Sequence, residues 1–414
     1  MLHKISLGIA DVGKYRMVAS KGAMDELESL GEALKGLRVC HVNSTPFGGG
    51  VAELLVSLIP LLRAVGINAD WQVIRGDRRF FTITKGLHNA LQGATFADIE
   101  SERLKGTYRA NNQENAQELD TNYDVFIIND PQPAALRHYL PDIKAKWIWR
   151  CHVDSSKPDE AVWRFLRPYI EEYDAAVFTA REFIPRDLNV AQIATMTPAI
   201  SPLSSKNMFI ERYFCRELVA NLGFDTQRPL VTQVSRFDRW KDPFGTIAAY
   251  RLAKEKIPGI QLALIGSFAP DDPEAWDMHA ALSAEAIKDD DMFIFSNLTG
   301  VGNMEVNAFQ RASDVIVQKS IREGFGLVVS EALWKETPLV AGNAGGIPLQ
   351  MTGELSNYLV NSVEECAEKM VYLLQNPAVG EKLGKLGKEI VRRNFLMNRL
   401  ARDELRLIKS LVST

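Results

Sequence analysis

The chain has 414 residues, 46% of them hydrophobic, and a net charge of −4 from 48 basic and 52 acidic side chains. It is too long for a single hydrophobic core and suits two domains, and its near balance of charge excludes bulk electrostatic binding to nucleic acid or to an anionic membrane. Cys40, Cys151, Cys215 and Cys366 have no metal-type spacing and read as reduced core thiols of a cytoplasmic protein, while no signal peptide and no apolar run of about 18 residues argues for secretion or a membrane span.

Residues before Gly36 are amphipathic and read as an appended segment on the outside of the first domain. From Leu37 onward short β-branched runs alternate with helical patterns, the signature of βαβ units and a parallel sheet. Strands are predicted over 37–43, 69–74, 123–129, 146–153 and 175–179, with helices such as 51–65 and 160–172 between them. The stretch 195–228, with Pro198, Pro202 and Lys206, reads as a crossover. A second series follows, with strands over 230–234, 261–265, 292–295, 314–318 and 338–341, and the chain is then helical almost to its end. The expectation is an α/β protein of two doubly wound domains, 1–205 and 206–394, with a helix over 395–414 packing back on the first. Ligands of such sheets bind at the carboxyl ends of the strands, which points to a cleft between the domains.

The polar motifs fall at those strand ends. The first strand runs into Gly48-Gly49-Gly50 and an apolar helix, a turn whose backbone can come close to a ligand and offer it amides. The spacing is neither G-x-G-x-x-G nor a Walker A sequence, so the dinucleotide and ATPase readings lack their key residues. Arg75, Lys85 and His88 follow the second strand, where an exposed loop explains them as well as a pocket does. Asn129-Asp130-Pro-Gln132 and His152 end two further strands and supply short polar groups for a sugar, the imidazole as a hydrogen-bond donor. In the second domain, Ser235-Arg236-Phe-Asp-Arg239-Trp-Lys241 places three cations within six residues at a strand end, suited to a diphosphate. Glu323-Gly324-Phe325-Gly326-Leu327 then opens a buried apolar helix, and Glu331 follows with seven residues between the two acids. Glycines in a first turn are costly unless backbone must approach something, and a helix start favours an anion. Two helical turns would set Glu331 beneath Glu323 on the same side.

Together these segments resemble the retaining GT-B nucleotide-sugar glycosyltransferases of family four, over nearly the whole chain. Within that family, His41-Val-Asn-Ser-Thr with the glycine run, Arg150-Cys-His152, Ser235 to Pro243 and Ala344-Gly-Gly-Ile-Pro-Leu-Gln350 are similar to the trehalose glycosyltransferring synthases. The resemblance implies a GT-B fold of two Rossmann-like domains facing across a cleft. It also implies glucose transfer from a nucleoside diphosphate glucose to free glucose, giving α,α-1,1-trehalose. Arg236 and Lys241 would hold the diphosphate, Glu323 the donor hexose and Glu331 the ribose. Gly49, Gly50, Ser235 and Gly324 to Leu327 would line the donor, and Asn297-Leu298 would meet the base. Asn129, Asp130, Gln132, Lys85 and His88 would hold the acceptor, and His152 would act beside Arg236, Lys241 and Glu323 in catalysis.

No carboxylate pair at the ~5 Å spacing of a retaining glycosidase is evident beside the donor residues. A front-face exchange stabilised by Arg236 and Lys241 is therefore the expected mechanism. No protein-held metal is expected, any magnesium riding on the diphosphate. The expected partners are the sugar nucleotide, glucose and trehalose, with a homodimer left open. A different sugar acceptor and a catalytically inactive nucleotide-sugar sensor remain as rival readings.

Overall fold

The computed structural model describes residues 1–19, 21–47, 49–268 and 274–413. Two units divide the chain, one of Met1–Ala199 with Met397–Thr414 and one of Ile200–Leu396. The chain thus passes between them at 199–200 and 396–397, against the expected crossings at 205–206 and 394–395.

The first unit holds a seven-stranded sheet: β1 (His3–Lys4), β2 (Arg38–Asn43), β3 (Asn68–Val73), β4 (Val125–Asn129), β5 (Lys146–Cys151), β6 (Ala175–Phe178) and β7 (Gln192–Thr195). Their order is β1-β3-β2-β4-β5-β6-β7, parallel except for β1, which pairs antiparallel with β3. The amphipathic leader therefore adds an edge strand as well as two helices, Val12–Val18 and Lys21–Ala33. Strands of a parallel sheet are covered on both faces and read as continuous apolar runs, as β4 (VFIIN) does. Cys40, Val42, Phe126, Ile128, Trp147 and Trp149 point into one apolar core, where the rings of Phe126 and Trp147 stack at 4.4 Å. The alternate positions His41, Asn129 and Arg150 look to the opposite face, where Glu404 of the C-terminal helix Met397–Val412 meets His41 and Arg150.

The second unit holds β8 (Leu230–Arg236), β9 (Gln261–Ser267), β10 (Met292–Ser296), β11 (Val315–Gln318), β12 (Leu339–Gly342) and β13 (Leu359–Val360). All are parallel, in the order β10-β9-β8-β11-β12-β13. The order reverses between β8 and β11 here and between β2 and β4 in the first unit, and open α/β sheets bind ligands at such switch points. The motif loops after β2, β4, β8 and β11 all sit there. The helix Pro377–Asn394 stays with the second unit, so only Met397–Val412 returns to the first. Among the described residues no helix is long and apolar enough to cross a membrane.

Candidate functional site

In the second unit β8 ends at Arg236 and a short turn, Arg239–Lys241, leads into the helix Pro243–Lys256. Asp242 makes that sharp entry: it sits in the left-handed region at φ 47° and accepts the Gly245 N–H at 3.0 Å, with Lys319 ion-paired to it. Gln233 Nε2 donates to the Lys241 carbonyl at 2.8 Å and the Ile321 N–H to the Trp240 carbonyl at 2.9 Å, tying the turn to the loop after β11. So held, Lys241 Nζ lies 2.5 Å from Glu323 Oε2, which also accepts from Ser320 Oγ at 3.2 Å. Arg236 Nη2 reaches Asp238 at 3.2 Å and keeps a third of its side chain exposed.

The loop 323–326 is shaped by close backbone contact. A Cβ on Gly345, at φ +52°, would fall 1.5 Å from the Glu323 carbonyl oxygen, so only glycine lets 344–346 back onto Glu323 to Phe325. Gln350 Nε2 donates to the Phe325 carbonyl at 2.6 Å, and Ser330 Oγ donates to Gln350 Oε1 at 2.5 Å. Gly326 takes φ +82° and precedes the helix Leu327–Trp334, whose first-turn amides face outward along the axis. This corrects the expected geometry of the two acids. A left-handed residue cannot continue a helix, so Gly324 to Gly326 lie before the first turn and Glu331 is not two turns below Glu323.

Glu331 is fully buried, its oxygens 2.9 Å from Lys206 Nζ and 3.3 Å from Gln310 Nε2. Burial pushes its carboxyl up, but the ammonium groups of Lys206 and Lys335 with the bonds from Lys206 and Gln310 outweigh that and hold it below the usual carboxylate range. Lys335 Nζ in turn donates to Asn207 Oδ1 at 2.7 Å. Ser235 pairs with Gly266 in the sheet register, half-buried. Asn297 Oδ1 accepts the Phe268 N–H at 2.9 Å, and the Leu298 N–H is donated to Ser296 Oγ at 3.2 Å, leaving the Leu298 side chain exposed.

In the first unit the strand ends of β4 and β5 interlock. Asp130 adopts φ 66°, a conformation that short polar residues tolerate; its N–H donates to the Arg150 carbonyl at 2.8 Å, and its carboxylate accepts the His152 N–H at 2.9 Å. Burial pushes the Asp130 carboxyl up to about 7, against the His152 N–H and the Arg150 charge, which pull it down. The His152 imidazole is held neutral, well below its ordinary value, by burial first and then by the charges at Arg150 and His41. Asn129 donates its amide N–H to the Val42 carbonyl at 3.1 Å, so its Oδ1 is the acceptor for His152 Nε2 at 2.9 Å. That fixes the tautomer and corrects the expectation of a donating imidazole: the N–H is spent inside the protein, and Nδ1, without a hydrogen bond among the described residues, is a lone-pair acceptor. Gln132 Oε1 is buried without a hydrogen bond among the described residues.

Gly49 caps the helix Gly50–Ala64, and a Cβ there would meet nothing within 4 Å, so the fold itself does not demand glycine. Gly48 lies outside the described residues. Lys85 and His88 sit half-buried at i and i+3 on the helix Arg78–Leu91, while Arg75 pairs with Glu118 at 2.8 Å.

A family model for the N-terminal domain of trehalose synthase matches residues 41–185, and one for glycosyl transferases group 1 matches 216–390. Trehalose synthase of Rubrobacter xylanophilus is 45% identical over the whole of both chains, and that of Thermococcus litoralis 44% identical over 96% of each. The chain belongs to the trehalose synthase family. It is a glycosyltransferase of trehalose metabolism. Sucrose-phosphate synthase from Thermosynechococcus elongatus matches with a TM-score of 0.68 at 19% identity, covering 91% of this chain and 99% of its own. A UDP-forming trehalose-phosphate synthase from Burkholderia xenovorans gives 0.69 at 16%, covering 92% and 100%. At such identities the likeness speaks for the fold, which is GT-B.

Several residues that support the candidate site were not singled out from the sequence. Lys206 read as a crossover lysine, because only the folded chain brings it to Glu331. Asp242 and Lys319 look like ordinary loop charges until their pairing is seen. Glu404 did leave a signal: it stands among Leu400, Ala401, Leu405 and Ile408 on the buried stripe of an amphipathic helix, where an acid needs a partner.

Proposed function

We propose that the protein transfers glucose from a nucleoside diphosphate glucose to the C1 hydroxyl of free glucose, with retention and reversibly, giving α,α-1,1-trehalose. What carries the reading is the cluster of Arg236, Lys241 and Glu323 at the β8–β11 switch point beside a helix start, in a chain of the trehalose synthase family. Arg236 and Lys241 neutralise the diphosphate as the amides of the helix Leu327–Trp334 add their dipole. Glu323 holds a donor glucose hydroxyl, and Glu331, kept ionised by Lys206, serves the ribose. The turn at Asn297 and Leu298 takes the base. The reading assigns the acceptor to the first unit, with Asn129, Asp130, Gln132 and the His152 Nδ1 lone pair as hydrogen-bonding groups, and with Lys85, His88, Gly49 and Gly50 as further lining.

The C1–oxygen bond to phosphate breaks into an ion pair, the acceptor hydroxyl attacks C1 from the same face, and its proton passes to the leaving phosphate oxygen. Charge growing on that phosphate is what Arg236 and Lys241 stabilise. Glu323 is a weak candidate for nucleophile because Lys241 and Ser320 already engage its oxygen. The reading needs no protein-held metal, since the two cations supply the charge.

The test is incubation with UDP-, ADP-, GDP- and TDP-glucose and a panel of free sugars, product linkage being read by NMR and enzyme quenched in turnover being read by mass spectrometry. Nucleotide release with an α,α-1,1 glucose disaccharide, and no hexose on the Glu323 peptide, is expected. Tight nucleotide binding without transfer would make the chain a sensor, and transfer to another sugar would replace the acceptor. A hexose adduct on Glu323 would overturn the front-face route.

A further inference from the structure

The strand-end groups Asp130 and His152 rest on a second, deeper polar layer that the reaction does not use directly. β2 and β5 each interrupt an apolar run with one polar residue on the same face of the sheet, His41 and Arg150, both buried. The C-terminal helix lays its own buried acid between them: Glu404 Oε1 lies 3.1 Å from His41 Nε2, and Glu404 Oε2 lies 3.2 Å from Arg150 Nη1. His41 Nδ1 and Arg150 Nη2 are buried with no hydrogen bond among the described residues, and Glu404 is the acid within hydrogen-bond distance of both side chains. Arg150 also pairs in register with Asn129, the partner of His152, and its carbonyl accepts the Asp130 N–H.

We propose that Glu404 is a positioning residue for Asp130 and His152: by clamping His41 and Arg150 from beneath the sheet, it sets how much positive charge reaches the two strand-end groups. Among the described residues Arg150 is the cation that acts on Asp130, and Glu404, Asp130 and Asp403 are the acids acting on Arg150, with Arg399 the further cation on the same helix face. His152 feels Arg150 and His41, and Cys151 between them feels Asp130. With Glu404 in place, its negative charge offsets part of the Arg150 charge that Asp130 feels. Without it, that charge falls on Asp130, favouring the anion, and Arg150 is free to turn toward it. If His41, Arg150 and Glu404 all become apolar, burial acts on Asp130 without that charge and favours the protonated acid. The two changes therefore shift Asp130 in opposite directions, which a purely structural role for Glu404 would not do.

The proposal rests on the acceptor reading only where kinetics are used to detect it, so the primary readout is the titration of Asp130 itself. This is followed by 13C NMR of the full-length enzyme labelled in its aspartate carboxyls, the Asp130 signal being assigned with Asp130→Asn. In Glu404→Gln the midpoint is expected to fall by on the order of 1 pH unit. In His41→Leu/Arg150→Met/Glu404→Met, which removes the buried triad as a whole and so spares the fold if the single variant does not assemble, it is expected to rise. The acid limb of kcat/KM for glucose should follow each midpoint, with donor KM little changed. Midpoints that move while the glucose profile stays put uphold Glu404 and remove Asp130 from the acceptor site. Midpoints that stay where they are in the variants that fold, or that move the same way in both, overturn the proposal.

Discussion

The two polar clusters stand at matching places, each at a switch point of a parallel sheet, and they solve opposite problems. In the second unit the charges lie in the loops themselves and are paired with one another: Lys241 with Glu323, Arg236 with Asp238, Lys319 with Asp242. In the first unit the loops offer Asn129, Gln132 and the imidazole of His152 as neutral groups beside Asp130, whose carboxyl burial pushes up to about 7, and the ions Arg150 and Glu404 are one layer down. A loop cation can exchange its protein partner for a phosphate, which suits an anionic ligand whose charge grows during reaction. Neutral acceptors and donors need only trade water for hydroxyls, which suits an uncharged sugar. One topology thus carries two chemistries, and the difference lies in which residues stand at and just beyond the strand ends.

The sharpest way to break that contrast is to remove a loop cation. Lys241→Ala should lower kcat by about 10²–10³, the usual cost of losing one stabiliser of developing charge, with a much smaller change in donor affinity; steady-state kinetics with donor varied would show it, and a pure KM effect would take Lys241 out of catalysis. Next in size, Glu331→Gln leaves Lys206 near a buried site without its counter-ion, and a broken buried pair costs on the order of 3 kcal/mol. The melting temperature should fall by roughly 6–12 °C, measured by calorimetry. The depressed carboxyl adds a sign: its contribution is present above the ordinary pKa of a glutamate and disappears as the pH falls through the lower folded value, so the wild-type advantage should shrink in acid. Loss of nucleotide affinity with an unchanged melting temperature would instead make Glu331 purely a ligand group. The smallest effect is expected on the neutral side. Gln132→Ala should raise KM for glucose by about tenfold, the worth of one neutral hydrogen bond, and should cost no stability, because its Oε1 has no protein partner to lose. A fall in kcat like that of Lys241→Ala would erase the contrast between the units.

Much of this was legible in the sequence because buried parallel strands are short apolar runs bounded by turn residues. The strands β4, β5, β8, β9 and β11 announce themselves that way, and the polar residues that end them mark the loops. The two-residue strands His3–Lys4 and Leu359–Val360 carry too few residues for any period, and Gln192–Thr195 alternates exposure at a sheet edge next to what reads as a crossover. The spacing of Glu323 and Glu331 misled because a helix was extended through Gly326, whose positive φ is invisible in composition. The direction of the His152 hydrogen bond was likewise out of reach, since it follows from the amide of Asn129 being committed to the Val42 carbonyl on a different strand. Contacts between residues far apart in the chain are what a periodic reading cannot see, and Lys206–Glu331 and Arg150–Glu404 are of that kind.

The return of Met397–Val412 to the first sheet also has a bearing on birth order. About 200 residues separate the two pieces of the first unit, which at ribosomal speed is a delay of roughly 10–40 s. Through that interval β2 and β5 are already made, yet His41 and Arg150 lack Glu404, while the second unit emerges as one uninterrupted piece. The unit that begins first is therefore completed only after the second has been made, and its sheet waits for the helix Met397–Val412 to bring Glu404 to His41 and Arg150.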